Sequence, residues 1–208
     1  MSFRAVIFDL GGVVIDSPLH AIAAYERELG IPAGFVNRVV VDTGPAGAWS
    51  RLERGELSRR EFEAAFEAEC RAAGHALSAA TMMERIALCR PRPQMLAAIV
   101  TIQRSGRKVA ALTNNWAHEG EGAAETDELR GLFDAFVESS RLGLRKPDPR
   151  IYRHVCAALA VEPREAIFLD DIGRNLKTAR ELGMATIKVE APEQALAELA
   201  RRLDLPLP

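Results

Sequence analysis

An aspartate ends a short apolar run near the start of the chain, and a pair of aspartates ends another apolar run much later. The first run is VIFDLGG, residues 6–12, and the second is AIFLDD, residues 166–171. Continuous apolar runs of this length are typical of buried strands in parallel sheets. In an α/β fold, ligands bind at the edge where the carboxyl ends of such strands meet. The sequence therefore predicts a carboxylate cluster at that edge, with Asp9 as the candidate nucleophile.

Two further segments can bring polar groups to the same edge. Thr113 and Asn114 follow the apolar strand KVAALT, and Lys146 lies in the loop GLRKPDP. Hydroxyl, amide and ammonium groups can hold phosphate oxygens, and carboxylate oxygens suit magnesium. The set fits phosphoryl transfer, in which Asp9 attacks phosphorus and carries the phosphoryl group as a mixed anhydride. Positioning and charge neutralisation supply most of the remaining catalysis.

The elements that must position these residues alternate between strand and helix after residue 90. The pattern predicts strands over 4–9, 108–113, 136–139, 166–170 and 185–189, and helices over 93–105, 149–160, 175–182 and 192–203. Apolar strands that alternate with helices form a parallel sheet covered on both faces. We therefore predict an α/β fold.

Residues 18–90 interrupt that alternation, because they contain apolar residues at helical spacing and no strand pattern. Helices are predicted over 19–29, 58–73 and 78–89. Ser58 followed by Glu61 predicts a capping box at the second helix. The Glu- and Arg-rich stretch 51–71 is predicted to be a solvated helix face. We predict two parts: a core formed by residues 1–17 and 91–208, and a helical cap formed by residues 18–90.

Four segments, in chain order, resemble the motifs of the haloacid dehalogenase (HAD) superfamily: VIFDLGGVV, AALTNN, RKPDPRIY and FLDDIGRN. The likeness covers nearly the whole chain. It is closest to the N-terminal phosphatase domain of soluble epoxide hydrolases and to the HAD domain fused to some acyl-CoA dehydrogenases. The resemblance implies a Rossmannoid parallel sheet with a helical cap inserted after the first strand, and a magnesium-dependent hydrolase.

The resemblance also implies a role for each matching residue, with Asp9 as the nucleophile. The implied magnesium ligands are Asp9, the backbone carbonyl of Gly11 and Asp171, with Asp170 close behind them. The implied phosphoryl-binding groups are Thr113, Asn114 and Lys146, of which Thr113 and Lys146 count as catalytic. Asn175 is implied to line the site from the helix after the acid pair.

One position departs from the family pattern. HAD phosphatases usually carry a second aspartate two residues after the nucleophile, where this chain has Gly11. Proton transfer by a positioned group is worth roughly 10²–10⁴ in rate. Its loss should slow cleavage of alkyl phosphates more than of aryl or acyl phosphates. Residues 10–17 are predicted to form a flap-like turn after the first strand. Asp16 on this flap and His118 are the candidate substitutes.

Three functions remain open at this stage. The first is a phosphatase, slowed by Gly11. The second is a 2-haloacid dehalogenase, because a halide leaves without protonation and that branch of the superfamily needs no metal. The third is a binding or regulatory protein with little turnover.

Composition and net charge limit the kinds of partner and the cellular location that we expect. The 208 residues carry a formal net charge of −2, which gives no reason to expect nucleic acid or an anionic membrane as partner. No apolar run approaches the ~20 residues that span a bilayer. The three cysteines are scattered, as in reduced cytosolic proteins. We expect a cytoplasmic monomer or homodimer that acts on a small phosphate ester.

Overall fold

The computed structural model describes residues 3–116 and 128–208. Within these residues the strands form one parallel sheet in the order β3-β2-β1-β4-β5. The strands are β1 (Ala5–Phe8), β2 (Lys108–Thr113), β3 (Ala135–Glu138), β4 (Ala166–Asp170) and β5 (Ala185–Lys188). The prediction of an α/β fold with a Rossmannoid parallel sheet is confirmed.

Helices connect the strands and follow the last one. Those between β1 and β2 are α1 (Pro18–Leu29), α2 (Phe35–Thr43), α3 (Ala48–Glu53), α4 (Arg59–Ala72), α5 (Ala79–Ala87) and α6 (Pro93–Arg104). Those after β3 are α7 (Ser139–Leu142), α8 (Pro149–Leu159), α9 (Gly173–Glu181) and α10 (Pro192–Leu203). Short 3-10 helices cover Gly44–Ala46 and Pro163–Glu165. In this described part of the chain, no helix has the length and apolar character that crossing a membrane requires.

The sheet is buried on both faces. Val6 and Phe8 of β1 pack in one hydrophobic cluster with residues of α6 and α10. Ala5 and Ile7 pack in a second cluster with residues of α8 and α9. Successive strand residues point to opposite faces, so a strand covered on both sides must be apolar throughout. This burial explains the continuous apolar runs in the sequence.

Helices α1–α5, here called the helical insert, surround a third hydrophobic cluster of their own. The rings of Trp49, Phe62 and Phe66 pack against one another there, with centroids 5.3–5.7 Å apart. The capping box is present at α4, where Ser58 and Glu61 bond reciprocally. The insert therefore has its own packed interior.

Two insert helices, α2 and α3, were not predicted. The α2 sequence FVNRVVVDT is rich in valine, which favours helix only weakly. Tertiary contacts stabilise it instead: the carboxylate of Glu26 accepts the backbone N–H groups of Gly34 at 2.7 Å and Val36 at 2.8 Å. α3 has only six residues, too few for a periodic pattern. Helix α7 and the two 3-10 helices, of three or four residues each, were not predicted either. The predicted strands and helices begin and end within two residues of the predicted bounds.

Candidate active site

The predicted catalytic groups converge at the middle of the sheet's carboxyl edge. β1 lies between β2 and β4, so the chain moves to opposite sides of β1 at this point. Such a switch point opens a crevice that binds ligands. Asp9 directly follows β1, Thr113 ends β2 and Asp170 ends β4. The N–H of Asp9 donates to the carbonyl of Leu169 at 2.9 Å, which fixes Asp9 beside the acid pair.

Lys146 joins two of these carboxylates. Its Nζ lies 2.8 Å from Oδ1 of Asp9 and 2.8 Å from Oδ2 of Asp170. The lysine side chain is 1% exposed. Burial lowers the pKa of Lys146, but the two carboxylates outweigh burial and raise it above its usual range. The buried lysine is therefore a fixed positive charge next to the candidate nucleophile.

The carboxylates outnumber this charge. Oxygens of Asp9, Asp170 and Asp171 all lie within 4.8 Å of one another. Burial raises the pKa of Asp9 well above its usual range, against the opposing effect of Lys146. Burial, followed by the charge of Asp170, raises the pKa of Asp171 to about 6. A set of hard oxygen donors with excess negative charge fits a divalent cation such as Mg²⁺.

The members of the acid pair have different surroundings. Asp170 is fully buried, and its Oδ1 accepts the N–H of Ile172 at 2.7 Å. Nδ2 of Asn175 donates to both oxygens of Asp170 at 3.1 Å. Asp171 is less buried and lines the cavity beside the cluster. This difference supports the prediction of Asp171 as a direct metal ligand with Asp170 behind it. The two bonds from Asn175 orient the Asp170 carboxylate.

Asn114 contacts the lysine segment through its side-chain amide. Its Oδ1 accepts the backbone N–H of Lys146 at 2.8 Å, and its Nδ2 donates to the carbonyl of Lys146 at 3.1 Å. These two bonds clamp the backbone from which the Lys146 side chain extends. Thr113 is buried and lines the same cavity. Contact of Thr113 or Asn114 with a phosphoryl group stays a prediction.

The turn after Asp9 needs glycine at position 12. Gly12 has φ +79°, and a Cβ there would lie 2.2 Å from Oδ2 of Asp171. A Cβ at Gly11 would lie 3.1 Å from Cδ of Pro18, which is tight. Nη1 of Arg92 donates to the carbonyl of Gly12 at 2.9 Å and holds the turn from the other side. Gly11 itself lines the cavity; its carbonyl as a metal ligand stays a prediction.

Of the two proposed substitute proton donors, only Asp16 lies among the residues that the structure describes. Asp16 is exposed and accepts the N–H of Arg90 at 3.1 Å, and it lies outside the residues that line the cavity. His118 falls outside the residues that the structure describes.

Between the insert and the sheet edge lies a cavity of about 540 Å³. Asp9, Thr113 and Asp171 line it where the strands end. Much of the remaining wall is apolar and comes from Ile22, Val36, Trp49, Met83, Trp116 and Ile172. The carboxylate cluster therefore opens into a space large enough for a small organic molecule.

One charged residue of the insert is buried contrary to prediction. Glu53 was placed on a solvated helix face, which is wrong: it is 7% exposed. Its Oε2 pairs with Nε of Arg145, and its Oε1 accepts Nε1–H of Trp49 at 2.9 Å. Glu53 and Arg145 lie 92 positions apart in the chain, and local sequence patterns carry no signal for such a pair.

A sequence model of the haloacid dehalogenase-like hydrolases matches residues 3–183. The chain is 38% identical over 210 residues to acyl-CoA dehydrogenase family member 10 of Mus musculus, covering 99% of this chain and 20% of that protein. It is 37% identical over 220 residues to bifunctional epoxide hydrolase 2 of Sus scrofa, covering 97% of this chain and 39% of that protein. A phosphatase of Mycobacterium tuberculosis is 27% identical over 98% of this chain and 94% of its own length. The chain thus spans well under half of the first two relatives.

Solved structures share the fold. A HAD-like hydrolase from Porphyromonas gingivalis superposes with a TM-score of 0.69 at 22% identity, over 97% of this chain and 99% of that one. A HAD-family enzyme from Bacteroides thetaiotaomicron, in complex with magnesium and inorganic phosphate, gives 0.62 at 20% identity over 91% and 96%. L-2-haloacid dehalogenase from Xanthobacter autotrophicus gives 0.63 at 20% identity over 96% and 82%. The chain belongs to the haloacid dehalogenase-like hydrolases.

Proposed function

We propose that the protein is a magnesium-dependent phosphatase that cleaves a small organic phosphate monoester through an aspartyl-phosphate on Asp9. The observation that carries this proposal is the cluster of Asp9, Asp170 and Asp171 around Lys146. An excess of buried carboxylates needs a further cation, and phosphate chemistry uses one. The phosphatase among the relatives and the magnesium and phosphate complex among the structural neighbours support it.

Each residue has a stated part in this reaction. Asp9 attacks phosphorus, the P–O bond of the ester breaks, and the alcohol leaves with a proton taken from water. Water then hydrolyses the acyl phosphate, which releases inorganic phosphate and regenerates Asp9. Lys146 orients Asp9 and neutralises charge next to it. Thr113 and Asn114 hold phosphoryl oxygens in place. The residues that would hold Mg²⁺ are Asp9, Asp171 and the Gly11 carbonyl. The bound ion supplies positive charge against the phosphoryl oxygens.

Gly11 supplies no acid to the leaving group. We therefore infer that aryl and acyl phosphates, whose leaving groups need little protonation, react faster than alkyl phosphates. Residues 18–90 are proposed to act as a cap that closes the cavity over the substrate. The protein is further proposed to be cytoplasmic, and a monomer or homodimer.

Dehalogenation is the second candidate. A halide leaves without protonation, so this reaction does not require an acid at position 11, where the chain has glycine. The carboxylates of Asp170 and Asp171 argue against dehalogenation. They repel the charge of Asp9, and a reaction that uses no cation has nothing to offset this repulsion. A binding protein with little turnover is the third outcome of the test below.

The deciding experiment is hydrolysis of p-nitrophenyl phosphate with and without Mg²⁺. The blank is Asp9→Asn. The matched control is Asp16→Asn, which changes a carboxylate on the flap that follows Asp9 but outside the cavity lining. We expect magnesium-dependent turnover in the wild type and in Asp16→Asn, and none in Asp9→Asn. No turnover in the wild type, followed by metal-free release of halide from 2-haloacids, would establish the dehalogenase instead. No activity in either assay would leave the binding protein.

A further inference from the structure

A second set of charges, buried at Glu53 and partly buried at Arg145, lies between the helical insert and the sheet edge. Glu53 is the last residue of α3, and its carboxylate pairs with the guanidinium of Arg145. Arg145 directly precedes Lys146 in the chain. Removing one charge of a buried pair leaves the other uncompensated, which is strongly unfavourable. The pair therefore holds α3 and the lysine segment in one relative position.

Glu53 also reaches Lys146 by a second route. Nδ2 of Asn114 lies 3.4 Å from Oε2 of Glu53. The same amide bonds both backbone groups of Lys146, at 2.8 Å and 3.1 Å. Glu53 thus contacts the residue before Lys146 and the side chain that clamps Lys146 itself.

The carboxylate of Glu53 is itself fixed. Nε1–H of Trp49 donates to its Oε1 at 2.9 Å, and Trp49 packs against two phenylalanine rings of the insert. Nη1 of Arg145 donates to Oγ of Ser50 at 3.0 Å, a second contact with α3. Because Trp49 and Arg145 hold the Glu53 carboxylate from two sides, that carboxylate can fix the position of the groups that it contacts.

We propose that Glu53 is a positioning residue: acting through Arg145 and Asn114, it holds Lys146 between Asp9 and Asp170. The inference rests on the proposed function, in which Lys146 neutralises charge at the reacting carboxylate. It makes the insert a part of the catalytic arrangement as well as a cover. A displacement of about 1 Å at a catalytic group can cost about 10²-fold in rate.

The first test compares two carboxylates of the insert. Glu53→Gln should lower kcat for p-nitrophenyl phosphate by about 10- to 100-fold, with a smaller change in KM. The matched control is Glu67→Gln. Glu67 also pairs with an arginine, Arg71, and accepts a backbone N–H, from Ala79 at 2.9 Å, with both partners inside the insert. Equal kcat values for the two variants would overturn the proposal.

A double variant separates positioning from folding. Glu53→Gln leaves Arg145 without its counter-charge and can lower the melting temperature for that reason alone. Glu53→Gln combined with Arg145→Gln removes both charges. We expect the melting temperature to recover while kcat stays low. Recovery of kcat together with the melting temperature would show that the pair only stabilises the fold.

A direct readout is the ¹⁵N NMR signal of the Lys146 ammonium group. Burial between two carboxylates protects its protons from exchange, and Lys146→Met identifies the signal by its loss. The signal should shift or broaden in Glu53→Gln and stay unchanged in Glu67→Gln; an unchanged signal in both would contradict the inference. This comparison needs no turnover. Failure of the wild type to hydrolyse the ester would therefore reject the proposed function alone.

Discussion

The sheet edge and the helical insert bury their charges in different ways. At the sheet edge, three carboxylates lie close together, and two of them, Asp9 and Asp170, share the ammonium group of Lys146. In the insert, the carboxylate of Glu26 accepts two backbone N–H groups at the start of α2. Glu53 pairs with Arg145. The insert thus gives each of these two carboxylates its own partners, whereas the edge does not.

The difference separates stability from function. A buried carboxylate with a full set of partners fixes local structure. Clustered carboxylates with too few cations raise one another's pKa and destabilise the fold, and such arrangements are typical of functional sites. Replacement of a charged residue should therefore affect mainly activity at the edge and mainly stability at Glu26. Glu53 should affect both, because it also contacts Arg145 and Asn114 beside the lysine segment.

The largest expected effect is that of Lys146→Met. Asp9 and Asp170 lose their shared counter-charge, so kcat/KM for p-nitrophenyl phosphate should fall at least about 10³-fold. The matched control is Lys177→Met, which changes an exposed lysine of α9 that lies 4.0 Å from Glu181. Steady-state kinetics with Mg²⁺ decide the matter. A comparable loss of kcat/KM in both variants would show that the charge of Lys146 has no particular role in catalysis.

Gly12→Ala tests whether the turn protects the position of Asp171. The new Cβ would lie 2.2 Å from Oδ2 of Asp171, so the carboxylate must move. We expect about 10- to 100-fold weaker Mg²⁺ activation. Gly183→Ala is the control: Gly183 also has positive φ, +95°, but a Cβ there meets nothing within 4 Å. It should lower stability alone. Equal Mg²⁺ titrations of the two variants would speak against a metal role for Asp171.

Gly11→Asp tests whether the missing acid at position 11 limits the rate with poor leaving groups. It should raise the rate on alkyl phosphates about 10-fold more than the rate on aryl phosphates, because only poor leaving groups need the proton. Gly11→Ala controls for the contact with Pro18, where a Cβ would lie 3.1 Å from Cδ. The ratio of the two rates is measured for each variant. An equal effect of Gly11→Asp on both substrates would reject this account.

Glu26→Ala tests the insert's side of the comparison. It leaves the N–H groups of Gly34 and Val36 without their acceptor, which should cost about 2–5 kcal/mol of unfolding free energy. Chemical denaturation measures this loss. Well below the melting temperature, kcat should change far less than in Lys146→Met. Loss of activity without loss of stability in Glu26→Ala would contradict the assignment of a purely structural part to this carboxylate.

The sheet edge was predictable because strand order and apolar patterning decide it. Asp9, Thr113 and Asp170 each end a buried parallel strand, so topology alone brings them together. Lys146 required the family resemblance, since it lies in a loop between α7 and α8.

The insert was less predictable because its helices depend on distant contacts. α2 is stabilised by Glu26 from another helix, against its weak local preference. Glu53 sits in a charged stretch that resembles an exposed helix face, and its partner Arg145 lies in a different part of the fold. Long-range ion pairs leave no periodic signal, so the link between insert and site emerges only from the structure.

The smallest expected effect concerns pH, and it tests the excess charge directly. Burial and Asp170 raise the pKa of Asp171 from its ordinary 3.8 to about 6. Between those values the folded protein binds more protons than the unfolded chain. This carboxyl therefore lowers the unfolding free energy as pH rises from about 4 to about 6, by about 1–3 kcal/mol.

Denaturation in a chelator, compared between the wild type and Asp171→Asn, measures that contribution together with the effect of the Asp171 charge on the pKa of Asp9. Groups outside the carboxylate cluster contribute equally in both proteins. The wild type should lose more stability than Asp171→Asn across this range. Added Mg²⁺ should stabilise the wild type more at pH 7 than at pH 5, since protons compete with the cation for the carboxylates. Parallel pH curves for the two proteins would mean that the edge carries no uncompensated charge at Asp171, and the contrast with the insert would then rest on Asp9 alone.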